Sequence, residues 1–175
     1  MEIVALQQKH ERELASFVAE FAASGEERIP AFLPHAEWSF AETVVGFEKQ
    51  SRGEDLPEGW VPCTTRFLIH ESRILGLFNI RHWLTDGLRL FGGHIGYSVR
   101  PAERGNGYGT RLLEAAVEMA QDMNINRVLV TCDPNNVSSA KVITKCGGVL
   151  EDQFYHEPVG HDVSRYWIES AKLPG

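Results

Sequence analysis

Apolar residues recur along the chain with a helical period at first and a strand-like one later. Between Gln7 and Ala23, Leu14, Phe17, Val18 and Phe21 fall at i, i+3, i+4 and i+7, the single stripe of an amphipathic helix that Ser24-Gly25 ends. A short apolar run, Ile3 to Leu6, precedes it, and Pro30 and Pro34 follow in an irregular connection. Ser39 to Gln50 predicts a second helix with Phe40, Val44 and Phe47 on one face, and Ser51 to Gly59 reads as a polar loop. From Val61 the character changes. Thr64 to His70 and Ile74 to Arg81 are strand-like runs joined by a hairpin turn at Glu71-Ser72-Arg73. Leu84 to Gly93, punctuated by Asp86-Gly87 and Gly92-Gly93, predicts turns before a third strand, His94 to Arg100. The middle of the chain is therefore an antiparallel meander.

Pro101 stops that strand. Gly107 to Met123 then carries Leu113, Ala116, Val117 and Ala120 at helical spacing, and Arg127 to Cys132 is a continuous apolar run expected of a strand buried on both faces. Ser138 to Cys146 predicts a short helix stopped by Gly147-Gly148. Val149 to His156 and Asp162 to Ser170 predict two last strands joined around Pro158 to Gly160. No internal repeat interrupts this order, which defines an α+β layered structure.

At 175 residues the expectation is one domain, 1–175, large enough to need neither disulfide nor metal for stability. Seventeen Lys and Arg against 24 Asp and Glu give a net charge of −7, which argues against nucleic acid and anionic membranes as partners. Cys63, Cys132 and Cys146 form no CxxC pair and fit reduced thiols in a cytoplasmic chain. The charged start, Met1 to Arg12, is not a signal peptide, and no stretch reaches the ~18 to 20 apolar residues of a membrane span.

The segment that changes the picture is Val99 to Gly109, V-R-P-A-E-R-G-N-G-Y-G, which sets Gly105, Gly107 and Gly109 between a strand end and a helix start. Glycine there allows positive φ and lets a ligand reach backbone N–H groups without a Cβ in the way. Those N–H groups are the unsatisfied donors of the next helix, whose dipole adds partial positive charge, so the arrangement suits a pyrophosphate. Arg104 stands at its entrance as a charged, forked donor. The same glycines would also serve a tight turn with no ligand. A Walker A loop is excluded by the lack of Gly-Lys-Ser/Thr, and the GxGxG spacing departs from the GxGxxG of a dinucleotide fold, for which only Asp133 after the next strand speaks.

Arg104-Gly105-Asn106-Gly107-Tyr108-Gly109 resembles the acyl-CoA signature Gln/Arg-x-x-Gly-x-Gly/Ala of the GNAT (Gcn5-related) N-acetyltransferases at every fixed position. A second family element, an Asn followed by a short helix and a Gly pair, is matched by Asn136, Ser139, Val142, Ile143, Lys145 and Gly147-Gly148. More narrowly, G-G-H-I-G-Y-S-V-R-P, V-L-V-T-C-D and K-V-I-x-K-x-G-G are similar to a bacterial group of predicted acetyltransferases.

The resemblance implies a GNAT-like mixed, mostly antiparallel central sheet flanked by helices, in which a splayed strand pair binds acyl-CoA. It implies acetyl-CoA as the acyl donor and an amine of a small molecule or peptide as acceptor, attacked directly in a ternary complex. Homodimers are common in the family. Tyr97, Ser98 and Val99 would pair with the pantetheine arm, and Arg104, Gly105, Asn106, Gly107, Tyr108, Gly109 and Thr110 would hold the pyrophosphate. Asn136 and Ser139 would line the pantetheine, and the oxyanion would meet a backbone N–H of the strand His94 to Arg100. The family's usual Tyr, a proton donor to the departing thiolate, is here Ile143. That departure leaves open a non-catalytic acyl-CoA binding or sensor module.

An alkylamine with a pKa of about 10.4 must lose a proton before attack, so a base is needed, directly or through water. Two candidates titrate near neutrality, His82 after one strand and His94 at the start of another. His156 and His161 lack the spacing of a zinc helix, and no metal is assigned. Tyr97, Tyr155 and Tyr166 are expected as packing residues; Trp38, Trp60, Trp83 and Trp167 either line an acceptor pocket or, the reading their apolar area favours, pack in the core.

Overall fold

The computed structural model describes residues 1–25 and 38–169; the predicted connection through Pro30 and Pro34 lies outside them. After strand β1 (Glu2–Val4) and a single 3-10 turn, helix α1 (Glu11–Ala23) buries Leu14, Phe17 and Phe21, the two phenylalanine rings meeting edge to face at 5.0 Å. Full burial of such side chains contributes roughly 1.5–3 kcal/mol each. Helix α2 (Phe40–Arg52) begins with a capping box, in which the Ser39 hydroxyl accepts the Glu42 amide while the Glu42 carboxylate accepts the Ser39 amide. It ends at Gly53, whose φ of 74° is the left-handed C-terminal turn that glycine permits.

Strands β2 (Cys63–His70), β3 (Arg73–Arg81) and β4 (Ile95–Val99) follow β1 in an all-antiparallel sheet of order β1-β2-β3-β4, with Phe67 opposite Leu77 and Leu77 opposite Ser98. Alternation along β2 sends Phe67 to one face, against α1 and α2, and Leu68 to the other. That second face carries Phe78, Ile80 and Ile95 and packs on a helix that follows the glycine loop, Tyr108–Asp122, which buries Leu112, Leu113, Ala116 and Ala120.

The structure departs from the sequence reading in two places. Where turns were expected, a five-residue helix α3 (Asp86–Leu90) stands, started by the Thr85 hydroxyl accepting the Leu88 amide at 3.2 Å. The helix Tyr108–Asp122 is therefore α4. Strand β5 (Arg127–Cys132), helix α5 (Val137–Lys145) and strands β6 (Val149–His156) and β7 (His161–Glu169) complete the order, the strands forming a second antiparallel sheet, β5-β7-β6. The second departure concerns aromatic residues. Trp38, Trp60 and Trp83 are 41%, 55% and 54% exposed and so are not core residues, and Tyr155 is likewise exposed. All four sit in loops or at an outer strand, where neighbouring layers do not close over them.

A glycine loop beside a forked sheet

The two sheets meet at one point. Just before β4, the His94 amide donates to the Leu129 carbonyl at 2.7 Å, and the Leu129 amide donates to His94 Nδ1 at 2.9 Å. Gly93 reaches this vertex with a φ of 61°, and a Cβ there would overlap the Leu129 carbonyl. The Gly92 amide adds a bond to Thr131 Oγ1 at 3.0 Å. Past the vertex β4 and β5 form no ladder, so the edge of β4 that faces β5 lacks a strand partner. Across the opening the Tyr97 hydroxyl meets the Ser139 hydroxyl of α5 at 2.9 Å, and burial pushes the Tyr97 phenol up to about 12.

A backbone amide can only donate, so His94 Nδ1 is the acceptor and the neutral ring carries its proton on Nε2. Burial, with the nearby Arg89 and Arg81 charges, lowers the His94 pKa to about 4. The folded value thus lies below the unfolded one of about 6.5. Its contribution to stability is complete above pH 6.5 and lost as the pH falls toward 4, because only the unfolded chain takes up the proton in that window. Over that range wild type is expected to lose about 3 kcal/mol more than His94→Gln. Denaturation midpoints measured from pH 7.5 to 4 check this, and parallel curves for the two proteins would refute it.

His82 is not brought to this vertex. Its Nε2 lies 2.9 Å from the Thr64 hydroxyl of β2, a group able to donate or accept, and burial lowers its pKa. His156 and His161 face each other across the β6–β7 hairpin, both against the Phe91 ring.

At the far end of β4 the chain turns through Pro101–Glu103 into the glycine loop. Gly105 and Gly107 have φ of 82° and 83°, Gly107 is the N-terminal residue before α4, and a Cβ on either would enter open space. Gly109 has a different cause: a Cβ there would press on Val142 of α5 at 3.3 Å, so it serves close helix packing. Arg104 Nε donates to the Val99 carbonyl at 3.3 Å and its guanidinium lies 5.7 Å from the Phe21 ring centre. Asn106 donates to the Glu103 carbonyl at 3.2 Å, and Tyr108, Gly109 and Thr110 form the first turn of α4. On α5, Asn136 Oδ1 accepts the Ser139 amide at 3.0 Å, leaving its NH2 group to donate elsewhere. Ile143 is fully buried in the core against Gly148, one turn away from the opening.

What sequence reasoning missed is the tether behind the loop. Arg100, 2% exposed, donates through Nε to Glu20 at 2.6 Å, through Nη1 to Glu13 and the Ile74 carbonyl, and through Nη2 to Ser16 at 2.7 Å. Glu20 also accepts the Ala102 amide at 2.8 Å, so α1 grips the chain on both sides of Pro101. Partners on α1 eighty or more positions away leave no local signal, and only the placement of an Arg directly before Pro101 marks the site.

An open strand edge, a helix-capped glycine loop and polar groups at the start of α5 together suit a long ligand with amides in its middle and phosphates at one end. The description "Acetyltransferase (GNAT) domain" matches residues 4–149. The chain belongs to the GNAT acetyltransferase family. A curated relative from Bacillus subtilis (strain 168), described as uncharacterized N-acetyltransferase YnaD, is 33% identical over 63 residues, covering 34% of this chain and only 37% of the relative. Among solved structures, Mycobacterium smegmatis RimJ in complex with CoA-disulfide aligns with a TM-score of 0.72 at 17% identity, over 99% of this chain and 83% of that one. A point mutant of spermidine N-acetyltransferase SpeG from Vibrio cholerae gives a TM-score of 0.62 at 14% identity, over 97% and 95%. These likenesses show the α+β fold of the family.

Proposed function

We propose that residues 1–175 act as one cytoplasmic domain that transfers acetyl from acetyl-CoA to an amine of a small molecule or peptide, by direct attack within a ternary complex. The observation that carries this reading is the open, positive-φ loop Gly105–Gly107 at the start of α4, in line with the unpartnered edge of β4. Loop residues Arg104 to Thr110 would hold the pyrophosphate, Arg104 through its guanidinium because its backbone N–H is given to the Pro101 carbonyl, and the residues after it through backbone N–H groups aided by the α4 dipole. Tyr97, Ser98 and Val99 would pair with the pantetheine amides, and Asn136 and Ser139 would close its other side. RimJ in complex with a CoA derivative supports the donor, and SpeG, named for an amine, supports the acceptor class.

In the transfer the amine nitrogen bonds to the acyl carbon, the carbon–sulfur bond breaks, and the amine gives up a proton. His82, whose pKa burial lowers and whose Nε2 lies beside the Thr64 hydroxyl, stands away from the vertex and is assigned as proton acceptor through water. His94 is assigned a positioning role, since its one lone pair is occupied by the Leu129 amide. Ile143 is buried, so the thiolate, with a pKa near 8.5, leaves without an α5 tyrosine.

Thermal unfolding with acetyl-CoA, NAD and ATP tests the reading. Acetyl-CoA at 100 times its dissociation constant should add about 2.7 kcal/mol, the controls nothing. Amine-dependent release of free CoA thiol should follow. Binding without release under any amine would favour the non-catalytic module, and no shift with acetyl-CoA would refute both.

A further inference from the structure

Arg81 ends β3 next to the vertex of the fork, its amide donating to the His94 carbonyl at 2.8 Å. Its side chain lies on the face of the sheet shared with Cys63, Thr65 and Asn79, the face that α1 and α2 cover further along. That face is opposite the one packed on α4, whose start carries the glycine loop. Arg81 Nη1 uses both its hydrogens on the chain that forms the vertex, donating to the Gly92 carbonyl at 2.9 Å and the Gly93 carbonyl at 3.0 Å. Among the described residues no carboxylate lies within 4 Å of it, and its Nε–Nη2 edge meets no protein acceptor.

Arg66 is likewise partly buried with no carboxylate partner among the described residues, but it lies along β2 and gives an N–H to the Thr65 carbonyl, whereas Arg81 stands at the vertex. The five other arginines that form described ion pairs, Arg52, Arg73, Arg100, Arg127 and Arg165, each have a Glu or Asp partner. Burial without a counter-charge lowers the Arg81 pKa, and Arg89 adds a second positive charge beside His94. In a chain of net charge −7, the acceptor side of the fork vertex is therefore locally positive. The edge left open is planar and two-donor, the geometry that takes a carboxylate side-on with two parallel N–H···O bonds. The bonds to Gly92 and Gly93 fix the fork in place before any ligand arrives, which lowers the entropy cost of binding.

Resting on the acetyl-transfer reading above, we infer that Arg81 is an anion subsite and that the acceptor is an aminocarboxylate, a small amino acid whose carboxylate docks on the Nε–Nη2 edge while its amine is turned to the fork. A polycationic acceptor such as a polyamine would be repelled by the same two arginines.

The test is a set of matched acceptors, each amino acid beside its methyl ester and its decarboxylated amine, with spermidine added, assayed by CoA thiol release with wild type, Arg81→Gln and Arg81→Lys. Wild type is expected to favour the acid over its ester by about tenfold or more in kcat/KM, the worth of one charge-assisted bidentate contact. Arg81→Lys, which keeps the charge and loses the planar two-donor edge, is expected to lose most of that ratio through KM, while acetyl-CoA still shifts the unfolding midpoint. Esters or spermidine used as well as the acids, or an acid-to-ester ratio untouched in Arg81→Lys, would overturn the subsite while leaving acetyl transfer standing. A wild type that fails to bind acetyl-CoA overturns the transfer reading itself and the inference with it.

Discussion

Arg100→Ala is expected to lose about 3–5 kcal/mol of stability, the cost of removing one partner from a buried charge network. The guanidinium is 2% exposed, and five polar groups from α1, β3 and the loop lie around its ion pairs. Without it Glu13 and Glu20, each about a quarter exposed, lose the cation they share, and only Arg73, 4.0 Å from Glu20, remains beside them. Burial by itself would raise the Glu20 pKa, but the Ala102 amide and the Arg100 guanidinium outweigh it and hold the carboxyl below the usual range. Its contribution is present above the unfolded pKa and is lost as the pH falls through the folded one. In the variant that depression shrinks, so the stability gap between wild type and variant should be widest near pH 7 and narrow as the pH falls below the unfolded carboxylate pKa of about 4.3. Urea denaturation at pH 7 and at about pH 3.5, below the unfolded carboxylate pKa, measures both effects, and a loss below about 1 kcal/mol at pH 7 would show the network to be unimportant. Arg100→Lys should recover only part of the stability, since an ammonium cannot reach Glu13, Glu20 and Ser16 with one planar group.

The elements whose pattern lies within one window were legible in the sequence. Leu14, Phe17 and Phe21 marked the buried stripe of α1, Leu113, Ala116 and Ala120 that of α4, and the apolar run of β5 matched its burial. The glycine loop could be read because positive φ at the start of a helix is a local demand. Short α3 was hidden because five residues make little more than one turn, and its Asp86-Gly87 pair is equally a turn signal. The break between the sheets was expected from the family resemblance, as the splayed strand pair, but the residue pattern itself does not show it. It depends on His94 meeting Leu129, thirty-five positions on, and on Gly93 letting the two backbones approach. His94, a candidate base in sequence, has its Nδ1 lone pair on the Leu129 amide, and only the direction of that one hydrogen bond reveals it. The three exposed tryptophans failed in the opposite way: aromatic area predicts burial on average but says nothing of whether a neighbouring layer exists to provide it.

Gly107→Val is expected to weaken acetyl-CoA binding on the order of a thousandfold, the loss of two or three charge-assisted bonds from backbone N–H to phosphate. The cost to the fold should be smaller, about 1–2 kcal/mol, because no atom lies within 4 Å of a Cβ at this position and only the φ of 83° is strained. The same open space is what the branched side chain fills, in front of the first N–H groups of α4. Gly109→Ala makes the useful contrast. Its Cβ would push on Val142 and disturb the packing of α4 on α5, so it should lower stability first and affinity only in consequence. Calorimetric titration with acetyl-CoA, paired with unfolding curves for the two variants, separates the effects. If Gly107→Val bound acetyl-CoA within about threefold of wild type, less than 1 kcal/mol, the glycines would be serving the turn alone and the pyrophosphate would have to lie elsewhere.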